Sequence, residues 1–283
     1  MGNSHEQLEG PLVTFEVPEV EQVKGRLTAA KFKFPQQWLG LVLPAFVVIA
    51  WELLAQAGIL AANWFPAPVV IVDTLLELVR GGELLRHIAV TLARVVAGFL
   101  IGALAATLLA GITGSVPLIR RLLDPTIQAL RSIPSMAWVP LFLLWMGIQE
   151  GSKIALISVG VFFPVYLNLL SGILTIDRKL VEVGRIFKLD ALQLARRVVL
   201  PAALPSYLVG LRSGLGLGWM FVVAAEIMGA SRGLGFLMID GQMTGRASVI
   251  IASIVLFALF GKLTDLVIER TGNRLLGHRG MEF

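Results

Sequence analysis

Apolar residues in this chain do not alternate with polar ones; they run. A bilayer core of about 30 Å takes roughly 20 apolar residues as helix. Six stretches meet that need: residues 38–60, 88–113, 125–148, 153–175, 203–229 and 248–269. Residues 95–119 and 154–176 contain no charged side chain. The third stretch carries Arg131, Pro134 and Pro140, and the sixth is uncharged only over residues 247–261. The pattern predicts an all-α integral membrane protein of about six transmembrane helices. Residues 38–283 would form the membrane domain, with a core region of about 86–270, and residues 1–37 a polar tail. The first apolar stretch starts too late and runs too long for a cleavable signal peptide of normal form. In the tail, five glutamates (Glu6, Glu9, Glu16, Glu19, Glu21) precede Lys24, Arg26, Lys31 and Lys33. That composition reads as a disordered segment with a basic, membrane-proximal end.

Small residues recur every four positions in the second span (Gly98, Gly102, Ala106, Ala110) and in the fifth (Gly210, Gly214, Gly218). Such ridges let helix backbones approach closely where lipid supplies no hydrophobic push. They serve either packing within the bundle or a dimer seam or moving surface. Residues 69–80 form an amphipathic stretch between Pro66 and Pro68 on one side and Gly81 and Gly82 on the other. These signals predict a surface helix on the first outer loop.

Lys and Arg counts orient the spans, because cytoplasmic loops carry the excess. The tail has four, and the 177–201 loop has six: Arg178, Lys179, Arg185, Lys188, Arg196 and Arg197. The C-terminal end has Lys262, Arg270, Arg274 and Arg279, while the turn near Glu150 has only Lys153. Both termini and the 177–201 loop are therefore expected in the cytoplasm.

Composition agrees with lipid as the solvent. Hydrophobic residues make up 56% and charged residues 15%, against about 25% charged in soluble proteins; mean hydropathy is +0.81. There is no cysteine, which excludes disulfides, iron–sulfur clusters and cysteine zinc sites. His5, His87 and His278 lie far apart, so no histidine metal site is expected. The net charge of +5 sits mainly in loops beside apolar spans. It is explained by membrane orientation, not by nucleic acid.

The 177–201 loop looks like two short helices joined at 188–190. Val181, Ile186 and Leu189 precede the turn, and Leu192, Leu194, Ala195 and Val198 follow it, with the bases and Glu182 on other faces. Amphipathicity alone leaves two readings open, a passive interfacial helix pair or a surface for a soluble partner.

This loop resembles the coupling signature of ABC importer permeases: Glu-Ala-Ala, three residues, Gly, nine residues, then Ile-x-Leu-Pro. Glu182 takes the Glu place, Val183 and Gly184 replace Ala-Ala, and Lys188 stands at the Gly place. Leu189 and Asp190 open the nine-residue spacer, and Val198, Val199, Leu200 and Pro201 close the motif. A left-handed turn at the Gly place would cost a non-glycine residue about 1 kcal/mol. The resemblance extends over roughly residues 38–275. RSIPSMAWVPLFLLWMGIQEGSK at 131–153, FPVYLN at 163–168, LPAALP at 200–205, GLR at 210–212, AAE at 224–226 and SRGLGF at 231–236 resemble the nitrate, taurine and alkanesulfonate permeases. IDRKLVE at 176–182 is nearest to the aliphatic sulfonate branch.

The resemblance implies a type I ABC importer permease fold with cytoplasmic coupling helices in a bacterial inner membrane. Two copies of the permease would enclose a path for a small anion, an aliphatic sulfonate or else taurine, nitrate or bicarbonate. A periplasmic solute-binding protein would deliver it. Two cytosolic subunits would bind ATP and Mg; this chain lacks the Gly-x-x-x-x-Gly-Lys-[Ser/Thr] phosphate loop and is expected to bind no cofactor and catalyse nothing itself.

Ionisable groups within spans need partners or water. Arg94 and Glu226 lie at similar depth near the outer ends of their spans, which makes a structural ion pair possible. Arg131 and Arg212 lie in the inner half and either line an anion path or snorkel and cap carbonyls near the loop. Asn168 and Ser171, at i and i+3, serve packing or substrate contact. An ion-coupled secondary transporter would need midplane carboxylates or broken helices, and a membrane enzyme a catalytic cluster; the loop argues against both.

Overall fold

The computed structural model describes residues 36–134 and 137–277, and every regular element among them is helical. Contacts divide the chain into two units, residues 1–46 and 47–283. The first unit contributes only the opening turns of α1 (Gln36–Gln56) to the described residues. The expected polar tail lies outside them.

The remaining helices are α2 (Pro68–Arg80), α3 (Glu83–Ser115), α4 (Pro117–Ser132), α5 (Trp138–Met146), α6 (Glu150–Leu174), α7 (Arg178–Ile186), α8 (Ala191–Leu194), α9 (Leu200–Ile227), α10 (Leu234–Met243) and α11 (Ala247–Gly277). A π-helical turn, Ala195–Val199, joins α8 to α9 without a break. Among the described residues, four helices are long and apolar enough to cross a membrane: α3, α6, the Ala195–Ile227 helix and α11.

The expected third span is not one helix. Proline disfavours helical geometry in the residue before it and cannot donate to the ladder. Ile133, directly before Pro134, is accordingly extended, with φ −68° and ψ 125°. The chain therefore divides into α4 and α5. α4 is amphipathic, with Arg120, Arg121, Asp124, Gln128 and Arg131 among its 16 residues. α5 is wholly apolar but only nine residues long, about 14 Å and so half a bilayer.

The bundle is built around α6, which packs on α3 along one side and on α9 along the other. Both small-residue ridges are used here. A Cβ at Gly102 would collide with the Ser158 carbonyl of α6, and one at Gly214 would come 2.9 Å from Val165 Cγ2. The ridges are thus covered from within the chain, and Ile157, Val161, Val165 and Tyr166 of α6 are fully buried. The opposite face of α3 exposes Leu100, Leu104 and Leu108, as lipid contact requires.

The helix predicted over residues 69–80 forms as α2. Pro68 opens it, and the Glu52 carboxylate accepts from the Val69 N–H at 3.1 Å. Ile71 and Thr74 are buried, and the helix rests on α3 and α11.

Candidate coupling surface and translocation residues

The 177–201 segment is a braced elbow. Asp177 Oδ1 accepts from the Lys179 N–H at 2.9 Å and starts α7. At the other end of α7, the Phe187 N–H donates to the Val183 carbonyl and the Leu189 N–H to the Gly184 carbonyl, each at 3.1 Å. Between them stands Lys188 at φ +55°, the one non-glycine residue with positive φ among the described residues. A six-to-one bond closed over a left-handed residue is the Schellman way to end a helix. Asp190 then starts α8. Its Oδ1 accepts from the Gln193 N–H at 2.7 Å, while Gln193 Oε1 faces the Asp190 N–H at 3.4 Å, a reciprocal capping box.

Gly184 explains its own departure from the Ala-Ala pattern. It is buried, and a Cβ there would lie 2.5 Å from Leu194 Cδ1. The absent methyl lets α7 close onto α8. Pro201 has no N–H for the Arg197 carbonyl, and Leu200 donates instead to Ala195, five residues back. That widened register is the π turn, whose inserted residue is a common accommodation inside a helix.

The outer face of the elbow is apolar. Ile186 and Phe187 are 77% and 74% exposed, and Leu180, Val183 and Leu200 are also exposed. Leaving such side chains in water forgoes about 1.5–3 kcal/mol each, and a contiguous patch of this kind marks an interaction surface. Glu182 is exposed beside it, on a cleft of about 660 Å³ that it shares with Arg178 and the end of α3.

At the opposite end of the bundle lies a buried charge cluster. Arg94 Nη1 is 2.8 Å from Glu226 Oε1, and Arg94 also reaches both Glu150 oxygens at 2.6 Å. Arg94 and Glu226 are almost fully buried, whereas the Glu150 side chain is 59% exposed. Lys153 Nζ joins Glu150 at 3.2 Å, so two cations face two carboxylates and the cluster is neutral. Glu226 also accepts from Thr91 Oγ1 at 2.8 Å and from the Gly235 N–H at 2.8 Å. The Gly233 N–H donates to His87 Nδ1 and the Leu234 N–H to Thr91 Oγ1, both at 2.9 Å. Three successive N–H groups at the start of α10 therefore end on side chains of α3 and α9, and the His87 ring stacks on Phe236. Gly233 has φ +126° and passes so close to the Glu226 carboxylate that no Cβ fits.

The structure thus brings Arg94 and Glu226 together and adds Glu150, Thr91 and His87, which sequence reasoning missed. Glu150, which the charge pattern places in a turn between spans, opens α6. Arg212 is paired too: Nε lies 2.8 Å from Asp265 Oδ1 and Nη2 3.0 Å from Glu269 Oε2. The i, i+4 spacing of those two acids on the last span was the available signal. Asn168 donates to the Pro164 carbonyl at 2.8 Å and sits against Gly210 of α9, while Ser171 is exposed. The two share a helix side but not an environment. Arg131 forms no ion pair or side-chain hydrogen bond with any described residue and lines a cavity of about 220 Å³.

A multi-pass helical bundle with its span charges mostly neutralised, and with an apolar elbow held rigid outside it, has the architecture of a transporter's membrane subunit. Residues 98–276 match the family described as the inner membrane component of binding-protein-dependent transport systems, and the chain belongs to that family. It is 40% identical over 243 residues to the permease SsuC of Bacillus subtilis (strain 168), named for aliphatic sulfonate transport; the match covers 86% of this chain and 88% of that one. It is 32% identical to TauC of Escherichia coli (strain K12), named as a taurine transport system permease, over 88% of this chain and 94% of that one. A chain of the MetNI methionine ABC transporter, solved in inward-facing conformations, superposes with a TM-score of 0.60 at 21% identity, over 69% of this chain and 97% of that one. The fold is that of a type I ABC importer permease, and the chain is a permease subunit, not catalytic in itself.

Proposed function

We propose that this permease works as a homodimer with two cytosolic ATPase subunits and a periplasmic solute-binding protein, and carries aliphatic sulfonates from periplasm to cytoplasm. The ATPase partners use ATP and Mg. Both termini and the 177–201 elbow face the cytoplasm. The observation that carries the reading is mechanical. The elbow presents exposed Ile186 and Phe187, is capped on both sides of Lys188, and continues through the π turn into the helix that carries Glu226 in its last turn. A push on the elbow by an ATPase closing around ATP passes from α7 to α8 through the Gly184–Leu194 contact and then along the continuous helix from α8 through α9 to the outer charge cluster. The sulfonate assignment is supported by the relatives named for aliphatic sulfonate and taurine transport.

Reconstitution of the permease with its ATPase and binding protein in proteoliposomes tests this. Ethanesulfonate is expected to stimulate ATP hydrolysis and to accumulate inside when ATP is supplied on the elbow side. Uptake that continues without ATP and stops when ion gradients are collapsed would instead make this a secondary transporter.

A further inference from the structure

Arg94, Arg131 and Arg212 differ in how their charge is met. Arg94 faces Glu226 and Glu150, and Arg212 faces Asp265 and Glu269. Arg131 has no carboxylate partner among the described residues. It closes α4 just before the break at Ile133 and Pro134, and the break opens a cavity of about 220 Å³ against α6 and α9. Its wall is apolar and includes Trp138, Val159, Phe163, Leu217 and Phe221. One guanidinium at the edge of an apolar hollow is chemically asymmetric. It suits a solute with a compact anionic head and a short hydrocarbon chain. The planar fork of donors matches the oxygens of a sulfonate, and each methylene moved from water onto the wall is worth about fourfold in affinity. The volume is below the about 300–1,000 Å³ of sites for drug-sized ligands, so it limits chain length.

We infer that the Arg131 cavity is a transient site for alkanesulfonates, with the head group on Arg131 and the chain on the Trp138, Phe163, Leu217 and Phe221 wall, and that Arg212 takes no part in it. The inference rests on the sulfonate reading above. A site open at one side and held by one unpaired charge binds weakly, as a transport path requires. A lipid phosphate offers Arg131 the same head-group chemistry, but it would not make transport depend on the length of the solute chain.

The test uses the full complex in proteoliposomes with ethanesulfonate, butanesulfonate and hexanesulfonate as probes. Loss of a charge-assisted contact is expected to make Arg131→Gln lower uptake of all three by about tenfold or more, with Arg131→Lys keeping the charge but not the fork and so recovering only part of it. Leu217→Trp fills the cavity and is expected to lower hexanesulfonate uptake several-fold more than ethanesulfonate uptake. Should that variant not assemble, Val159→Phe fills the same cavity from α6 and is read in the same way. Wild-type uptake of all three probes in both Arg131→Gln and the cavity-filling variant overturns the site and leaves the sulfonate reading standing. So does an equal loss at every chain length in the cavity-filling variant, which would give Arg131 to a lipid head group or to assembly. A wild-type complex that hydrolyses ATP and takes up none of the probes overturns the sulfonate reading together with the site.

Discussion

Glu226 and Glu150 both hold Arg94, but they stand in different media. Glu226 is 1% exposed and also accepts from Thr91 and from the Gly235 N–H. Its removal leaves a buried guanidinium short of one counter-charge and two donors without an acceptor. Breaking such a buried pair costs about 3–5 kcal/mol. Glu226→Ala is therefore expected to lower the melting temperature of the purified permease sharply, and Glu150→Ala to lower it less, because water can reach the site that the 59% exposed Glu150 leaves and no backbone donor is orphaned there. Equal melting temperatures for the two variants would refute this ranking. Lys188 makes the opposite case. At φ +55° it holds a backbone conformation that favours glycine. Lys188→Gly is expected to raise stability by about 1 kcal/mol, and the β-branched Lys188→Val to lower it. Denaturation followed by circular dichroism reads both, and a loss in the glycine variant would mean that the lysine side chain holds a contact of its own. At this scale the sequence was legible where depth and sign matched, as for Arg94 and Glu226. It was silent where the partner was a backbone N–H. The three donors at 233–235 carry no charge or periodicity, and only Gly233 and Gly235 hint at how closely the carboxylate approaches.

The elements that sequence patterns predicted best are those whose apolar run is uninterrupted. α3 runs a few residues past both ends of its predicted span, while α6 starts three residues early and ends one residue short of its own. The third predicted span is divided between two helices. A hydropathy window sums across Pro134, but the backbone at Ile133 cannot. α10 went unpredicted since its ten residues include two glycines; it forms where Glu226, Thr91 and His87 supply the acceptors its first turn lacks. The elbow was legible as two short helices, and the structure supplies the reason they stay closed. Gly184 is that reason, and it gives a prediction for the element as a whole. Gly184→Val forces α7 off Leu194 and α8, so ATP hydrolysis is expected to persist while sulfonate uptake falls. Glu182→Lys, by contrast, alters only an exposed charge and is expected to weaken ATPase docking with the fold intact, as copurification would report. If hydrolysis and uptake in Gly184→Val stay in their wild-type ratio, the elbow does not transmit force through this contact.

For the whole molecule the first question is which side faces out. The chain has no cysteine, so single cysteines report cleanly. Ala61, Gln149 and Thr244 are exposed at one end of the bundle, and Gln193 and Asn273 are exposed toward the other. Ala61→Cys, Gln149→Cys and Thr244→Cys are expected to react with an impermeant maleimide on intact cells, and Gln193→Cys and Asn273→Cys only after permeabilisation. The reverse pattern would invert the orientation that the Lys and Arg counts give. The neutral charge cluster has a further consequence, which concerns time. Arg94 enters the membrane with the second apolar helix, but Glu150 lies 56 residues later in the chain and Glu226 132 residues later. At about 5–20 residues per second, the ribosome takes roughly 7–26 s to deliver the second carboxylate. Throughout that interval the newborn helix holds an arginine whose final partner does not yet exist. The insertion machinery must shelter it or let it wait at the membrane surface. A nascent chain stalled before Glu226 is therefore expected to crosslink to the insertion machinery through α3, and one stalled after α9 has emerged to let go.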